Sequence, residues 1–106
     1  MRDHLGEFEQ LVLLAVLRLD GNAYGVPIRH EITKRTSREL TVGALYMTLD
    51  RLERKGFLRS SISDPTPERG GRSKRYFRVS KAGVRALRES RHALNAMWKG
   101  LEIYET

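Results

Sequence analysis

A mainly α-helical domain with one small β-hairpin is the fold class this sequence predicts, and three observations carry it. Four stretches space their apolar residues at helical steps. Two short segments alternate apolar and polar residues on either side of a loop rich in proline and glycine. The length, 106 residues, is that of one domain with a modest core. The order is helix, helix, helix, strand, loop, strand, helix.

Phe8, Leu11, Val12, Ala15 and Leu19 define a first helix over 7–19, which Asp20-Gly21-Asn22 stops. The second spans 25–35, with Pro27 in its first turn and Ile28 and Ile32 on its buried face. Thr36-Ser37-Arg38 breaks it. In the third, 41–55, Thr41 is the N-cap and Val42, Leu45, Leu49 and Leu52 form one apolar stripe. Gly56 ends it as a left-handed cap. Residues 57–62 and 74–79 read as strands, with Leu58 and Ile62 on one face of the first and Phe77 and Val79 on one face of the second. The loop between them, 63–73, is too long for a tight hairpin turn, and long loops in small domains usually have a job. Ser80 caps a fourth helix over 81–102, where Val84, Leu87, Leu94, Trp98 and Leu101 alternate in steps of three and four. Arg91 occupies one slot of that heptad-like seam.

Charge is unevenly distributed. The chain carries 20 basic and 13 acidic residues, net +7. Residues 1–50 hold 6 basic and 7 acidic side chains, whereas 51–78 hold 9 and 3, so the excess is concentrated around the hairpin. That sign points to a polyanion. No run of about 20 apolar residues exists to span a membrane, and the first fourteen residues do not form a secretory leader. The absence of cysteine excludes disulfides and thiolate metal sites and suits a cytoplasmic protein.

The second and third helices, joined by a short turn, have the layout of a helix-turn-helix, whose second helix enters the major groove of DNA. Opposite its stripe that helix presents Thr41, Ala44, Met47, Thr48 and Arg51. Hydroxyls suit phosphates or bases, small apolar groups suit the thymine methyl, and arginine suits phosphate or guanine. Gly43 and Ala44 keep the entry small, and Tyr46 lies between stripe and groove face. The pattern alone fits a solvated amphipathic helix of any small bundle just as well. The loop tips the balance: Arg69, Arg72, Lys74 and Arg75 surround Gly70-Gly71, a composition suited to lie on a phosphate backbone or in the minor groove. Beside a helix-turn-helix, such a hairpin is a wing. The expected organisation is therefore a winged helix-turn-helix over 1–80, with recognition helix 41–55 and wing 63–74, followed by a dimerisation helix over 81–106. Leu94, Met97, Trp98 and Leu101 extend beyond anything the domain can cover, and a second copy is their expected partner. A two-fold dimer calls for a pseudo-palindromic operator with half-sites about 34 Å apart.

These segments together resemble the PadR family of bacterial transcriptional regulators. The resemblance is carried by Leu5-Gly6-Glu7-Phe8-Glu9 with Leu11 to Leu14, by Ala23-Tyr24-Gly25-Val26-Pro27-Ile28, and by Gly43-Ala44-Leu45-Tyr46 with Thr48-Leu49-Asp50-Arg51-Leu52. Lys55-Gly56 and Pro65-Thr66-Pro67-Glu68-Arg69-Gly70-Gly71-Arg72 with Lys74-Arg75-Tyr76 complete it. The match is collinear over nearly the whole chain. It implies a winged helix, a homodimer of the short form with a single C-terminal helix, and usually repression. By resemblance Tyr46 lies on the recognition helix and the wing contacts DNA. The residues assigned to DNA are Tyr24, Thr41, Val42, Gly43, Ala44, Tyr46, Met47, Thr48 and Arg51, with Arg69, Gly70, Gly71, Arg72 and Lys74 in the wing. Some relatives respond to small aromatic compounds, so a small-molecule effector of unknown identity belongs to the expectation. Trp98 and Tyr104 are better read as interface packing than as the lining of an effector cavity.

An enzyme is not expected. His4, His30 and His92 are scattered without metal-ligand spacing, and Ser60, Ser61 and Ser63 have no base beside them. Gly70-Gly71-Arg72-Ser73-Lys74 lacks the spacing of a phosphate loop. No cofactor is expected. Two rival readings stay open. One is a winged helix used for protein contacts without specific DNA binding. The other is RNA binding, for which Tyr76 and Phe77 on a hairpin are a thin stacking platform.

Overall fold

The computed structural model describes residues 4–63 and 73–105. Helix α1 (Glu7–Leu19) is closed at its start by Glu9, whose Oε1 accepts the Gly6 N–H at 2.8 Å. Glu7 and Glu9 also place negative charge at the positive end of the helix dipole. Asp20 and Gly21 leave the helix at positive φ, 37° and 92°. Buried on α1 are Val12, Leu13, Ala15 and Val16, with Phe8, Leu11 and Leu19 partly covered. The apolar face is thus wider than the stripe expected from sequence, because α1 is the central helix around which the others pack.

Helix α2 (Gly25–Thr36) buries Ile28 and Ile32 and ends at Ser37 in the left-handed region. Helix α3 (Val42–Arg54) starts at Thr41, whose hydroxyl accepts the Ala44 N–H at 3.0 Å. Gly56, at φ +81°, turns the chain out of α3 into the hairpin. Strands β1 (Leu58–Ile62) and β2 (Arg75–Val79) are antiparallel, with Leu58 opposite Val79 and Ile62 opposite Arg75. Leu58 and Phe77 are buried, whereas Ile62 is exposed. Alternation is kept, but the outer end of the hairpin projects past the core. The N–H of Phe77 donates to the Ala23 carbonyl at 2.8 Å, which ties the hairpin to the turn before α2.

Leu13, Ile28, Leu45, Leu49, Leu52, Leu58 and Val12 are the largest fully buried side chains and join all three helices to β1. Burial of each contributes about 1.5–3 kcal/mol. Helix α4 (Lys81–Trp98) is seated by Ser80, whose hydroxyl donates to the Gly56 carbonyl at 2.6 Å and accepts the Gly83 N–H at 3.1 Å. A Cβ on Gly83 would stand 2.4 Å from the Phe57 carbonyl oxygen, so only glycine permits this approach. Leu87 is the last side chain of α4 in the core; from Arg91 to Glu105 every residue is exposed. The radius of gyration, 15.7 Å, exceeds the roughly 13 Å of a compact chain of this length because α4 projects.

The expected helix over 81–102 is shorter than predicted. It stops at Trp98, Gly100 takes φ +89°, and a 3-10 turn, η1 (Glu102–Tyr104), follows. Leu101 lies beyond the helix, so the heptad-like seam ends one step early. The sequence read an apolar residue at the right spacing and missed the glycine that breaks the register.

Candidate nucleic-acid interface

At about 100° per residue, residues 43, 47, 50 and 54 of α3 fall on one line, opposite the buried side chains of Leu45, Thr48, Leu49 and Leu52. That line comprises Gly43, Met47, Asp50 and Arg54, all exposed. Val42 and Tyr46 lie on one flank, 50% and 40% exposed, and Ala44 and Arg51 lie on the other. Val42 was expected in the apolar stripe; it sits at the helix start, and Thr48 takes the fourth place in the buried face. Thr48 is 4% exposed and cannot read a base without α3 leaving the core, which corrects the expectation that it faces the groove. The sequence reading turned α3 by nearly a quarter of a revolution, because a threonine was counted as polar and outward.

Arg51 belongs to the flank that meets α1. Its Nε donates to Glu9 Oε2 at 2.9 Å, and its second nitrogen lies 3.4 Å from the Thr48 hydroxyl. Lys55 Nζ reaches the same Glu9 oxygen at 3.0 Å. Burial pushes the Glu9 carboxyl up, but the Gly6 N–H, Arg51 and Lys55 outweigh it and hold the group below its ordinary value. Arg51 therefore pins the helix to α1, which sequence spacing could not reveal across 42 residues.

The opposite flank of α3 is tied to the wing strand. Arg75 donates to Asp50 Oδ1 at 3.0 Å and to Glu53, and its guanidinium lies 4.9 Å from the Phe77 ring centroid. The Ser60 hydroxyl donates to Glu53 Oε2 at 2.5 Å. That hydroxyl, with Arg75, holds the Glu53 carboxyl low against the effect of burial. Burial would lower the Arg75 value, and hydrogen bonds to Asp50 and Glu53 raise it instead. Arg75, counted with the wing charge from sequence, is thus directed inward.

Tyr24, the residue before α2, stacks edge-to-face on Tyr76 with ring centroids 5.4 Å apart, and Lys74 Nζ lies 4.5 Å above the Tyr24 ring. Tyr46 packs on Gly25, where a Cβ would meet its hydroxyl oxygen at 2.1 Å. Tyr24 and Lys74 thus come together at the wing base, while Tyr46 joins the start of α2 to α3. An open cleft of about 870 Å³ runs between α2 and α3, lined by Val26, Arg29, His30, Leu40 and Tyr46 among others. Arg29 spans it, donating to the Leu40 carbonyl at 3.0 Å. Arg69, Gly70, Gly71 and Arg72, the tip of the expected wing, lie outside the described residues.

Sequence reasoning did not single out Asp50 or Arg54, although their spacing from Met47 was available. Leu94, Met97, Trp98 and Leu101 are all exposed, and so are Leu14 and Leu17 of α1 and Ile103. Among the described residues no group of His, Cys, Asp or Glu is placed to hold a metal, and no helix is long and apolar enough to cross a membrane.

Three helices carrying a two-stranded hairpin, with a fourth helix seated behind it, make this a winged helix-turn-helix protein. The family model of the transcriptional regulator PadR-like family matches residues 13–89, and the chain belongs to that family. A PadR family transcription regulator from Clostridium difficile R20291 is similar at a TM-score of 0.72 and 19% identity, covering 93% of this chain and 99% of that one. A transcriptional regulator from Clostridium thermocellum matches at 0.72 and 19%, over 92% and 89%. One of the PadR family from Eggerthella lenta matches at 0.69 and 25%, over 91% and 83%. The family and these neighbours are transcription regulators, not enzymes. No curated protein matches the sequence.

Proposed function

We propose that the protein is a homodimeric, sequence-specific double-stranded DNA-binding regulator, acting as a repressor in the cytoplasm on a pseudo-palindromic operator. Residues 1–80 bind DNA, with α3 in the major groove and the wing, 63–74, on the backbone or minor groove; residues 81–106 dimerise. The observation that carries this reading is the outward line of α3, tied through Asp50 to Arg75 of the hairpin strand β2, in a chain whose basic excess lies in residues 51–78. Met47 supplies apolar contact to bases, and Thr41, Val42, Gly43, Ala44 and Tyr46 surround the entry of the helix. Lys74 and Tyr24 serve phosphates at the wing base, with Arg69, Gly70, Gly71 and Arg72 at its tip. Arg51 acts by fixing the helix, and Thr48 by packing beneath it.

A gel-shift titration on DNA upstream of the protein's own gene, against a scrambled duplex, at two salt concentrations, tests the proposal. A discrete complex on the promoter DNA alone, weakening steeply as salt rises, is expected. Equal weak binding to both duplexes would overturn it in favour of a protein-binding winged helix. The dimer is tested separately by sedimentation. Trp98→Ala weakens association by about 2 kcal/mol if Trp98 anchors the interface; a wild-type protein that sediments as a monomer at all concentrations removes the dimer from the proposal. Released complexes in the presence of small aromatic compounds would identify an effector class.

A further inference from the structure

We infer that Asp50 determines specificity: its carboxylate, fixed by Arg75 of the wing strand, accepts a hydrogen bond from the exocyclic amine of a cytosine in the major groove. The inference rests on the DNA-binding reading above and names a residue that reading leaves without a role.

Asp50 stands on the outward line of α3, between Met47 and Arg54, with its side chain 56% exposed. It is not a freely rotating surface acid. Arg75 holds Oδ1 at 3.0 Å, and Arg75 is itself fixed by Glu53 and by the ring of the buried Phe77. The carboxylate is therefore presented in one orientation by a chain of contacts reaching the core. Arg75 also offsets its negative charge, which reduces repulsion from the phosphates that flank the groove. A carboxylate has about four lone-pair sites, of which one hydrogen bond from Arg75 uses a part.

An ionised carboxylate only accepts hydrogen bonds. In the major groove guanine offers the acceptors N7 and O6, and thymine offers the acceptor O4 and a methyl group, so both repel it or leave it unsatisfied. Adenine carries an amine, but the acceptor N7 lies beside it. Cytosine alone offers an amine and no acceptor of its own on that edge. The same side chain thus selects one base and disfavours three.

Selection from a random duplex pool, with the full chain as wild type, Asp50→Asn, Asp50→Ala and Glu53→Gln, tests this. The wild type enriches a motif with a fixed cytosine, preferred about tenfold over other bases in competition, the discrimination typical of one base pair. Asp50→Asn turns that position to adenine, because an amide matches its N6 and N7. Asp50→Ala keeps the rest of the motif and accepts all four bases there. Glu53→Gln, which loosens Arg75 but leaves the Asp50 carboxylate, keeps cytosine the preferred base and lowers its preference. A motif unchanged by Asp50→Asn and Asp50→Ala overturns the inference alone, as does a Glu53→Gln pool that prefers a different base there. A wild-type pool with no enriched motif overturns the regulator reading and this inference with it.

Discussion

The two flanks of α3 are held by opposite arrangements of charge. On the α1 side the helix and its C-cap supply two cations, Arg51 and Lys55, to a single carboxylate, Glu9, which is 5% exposed. On the hairpin side it supplies two anions, Asp50 and Glu53, to a single cation, Arg75, whose side chain is 36% exposed. Burial decides what each does. A carboxylate enclosed in the core cannot be left unpaired, so the first network fixes how α3 sits on the domain. The second lies in solvent reach, where ion pairs contribute little to stability. Its effect is to place the wing relative to the helix and to orient Asp50.

Removal of Glu9 has the largest expected effect. Breaking a buried ion pair from one side costs about 3–5 kcal/mol. Here the cations left behind, Arg51 and Lys55, keep access to water, which reduces that figure to about 2–3 kcal/mol. Glu9→Ala is expected to lower the melting temperature by about 8–24 °C, followed by circular dichroism, since 1 kcal/mol moves a domain of this size by about 4–8 °C. A shift of only a degree or two would mean that the network is ornamental and that apolar packing alone sets α3.

Acid makes the same comparison without a core deletion. The Glu9 carboxyl is held below its ordinary value of 4.5 in the folded protein. A carboxyl depressed on folding stabilises fully above its unfolded value, and that stabilisation is lost as pH falls through the folded one. The stability gap between wild type and Glu9→Gln is thus constant near neutrality and closes below pH 4.5. Urea unfolding of both proteins between pH 3 and 7, values chosen to bracket that transition, measures it. A gap that persists undiminished to the acid end would assign the Glu9 effect to shape rather than charge.

Local signals made the fold legible from sequence. Thr41 and Ser80 cap α3 and α4, Gly56 closes α3 at positive φ, and Leu58 and Phe77 alternate inward. Each of these depends on residues within a few positions. What the sequence concealed is long-range or ambiguous in polarity. Thr48 is short enough, with its methyl, to pack inward, and a polar count turned the helix away from its true outward line. Glu9 meets Arg51 and Lys55 only after the chain has folded, so no spacing rule connects them. Arg75 sits among basic loop residues, yet points back to α3. Composition located the charge excess in 51–78 but not its roles: Arg51, Arg54 and Lys55 belong to α3 and its C-cap, and Arg75 faces inward.

Arg75→Gln is the smallest of these perturbations and the sharpest test of the contrast. The pair partners are a third or more exposed, so the loss is at most about 1 kcal/mol at low salt. Screening shortens the reach of such charges from about 10 Å at 0.1 M salt to about 3 Å at 1 M. The melting difference between wild type and Arg75→Gln is therefore expected to shrink toward zero as salt rises, while the Glu9→Ala difference stays largely in place. If both differences fade alike, Glu9 is wetter than its burial implies. If neither fades, Arg75 stabilises by packing on Phe77, and the hairpin flank of α3 is built on the same principle as the α1 flank.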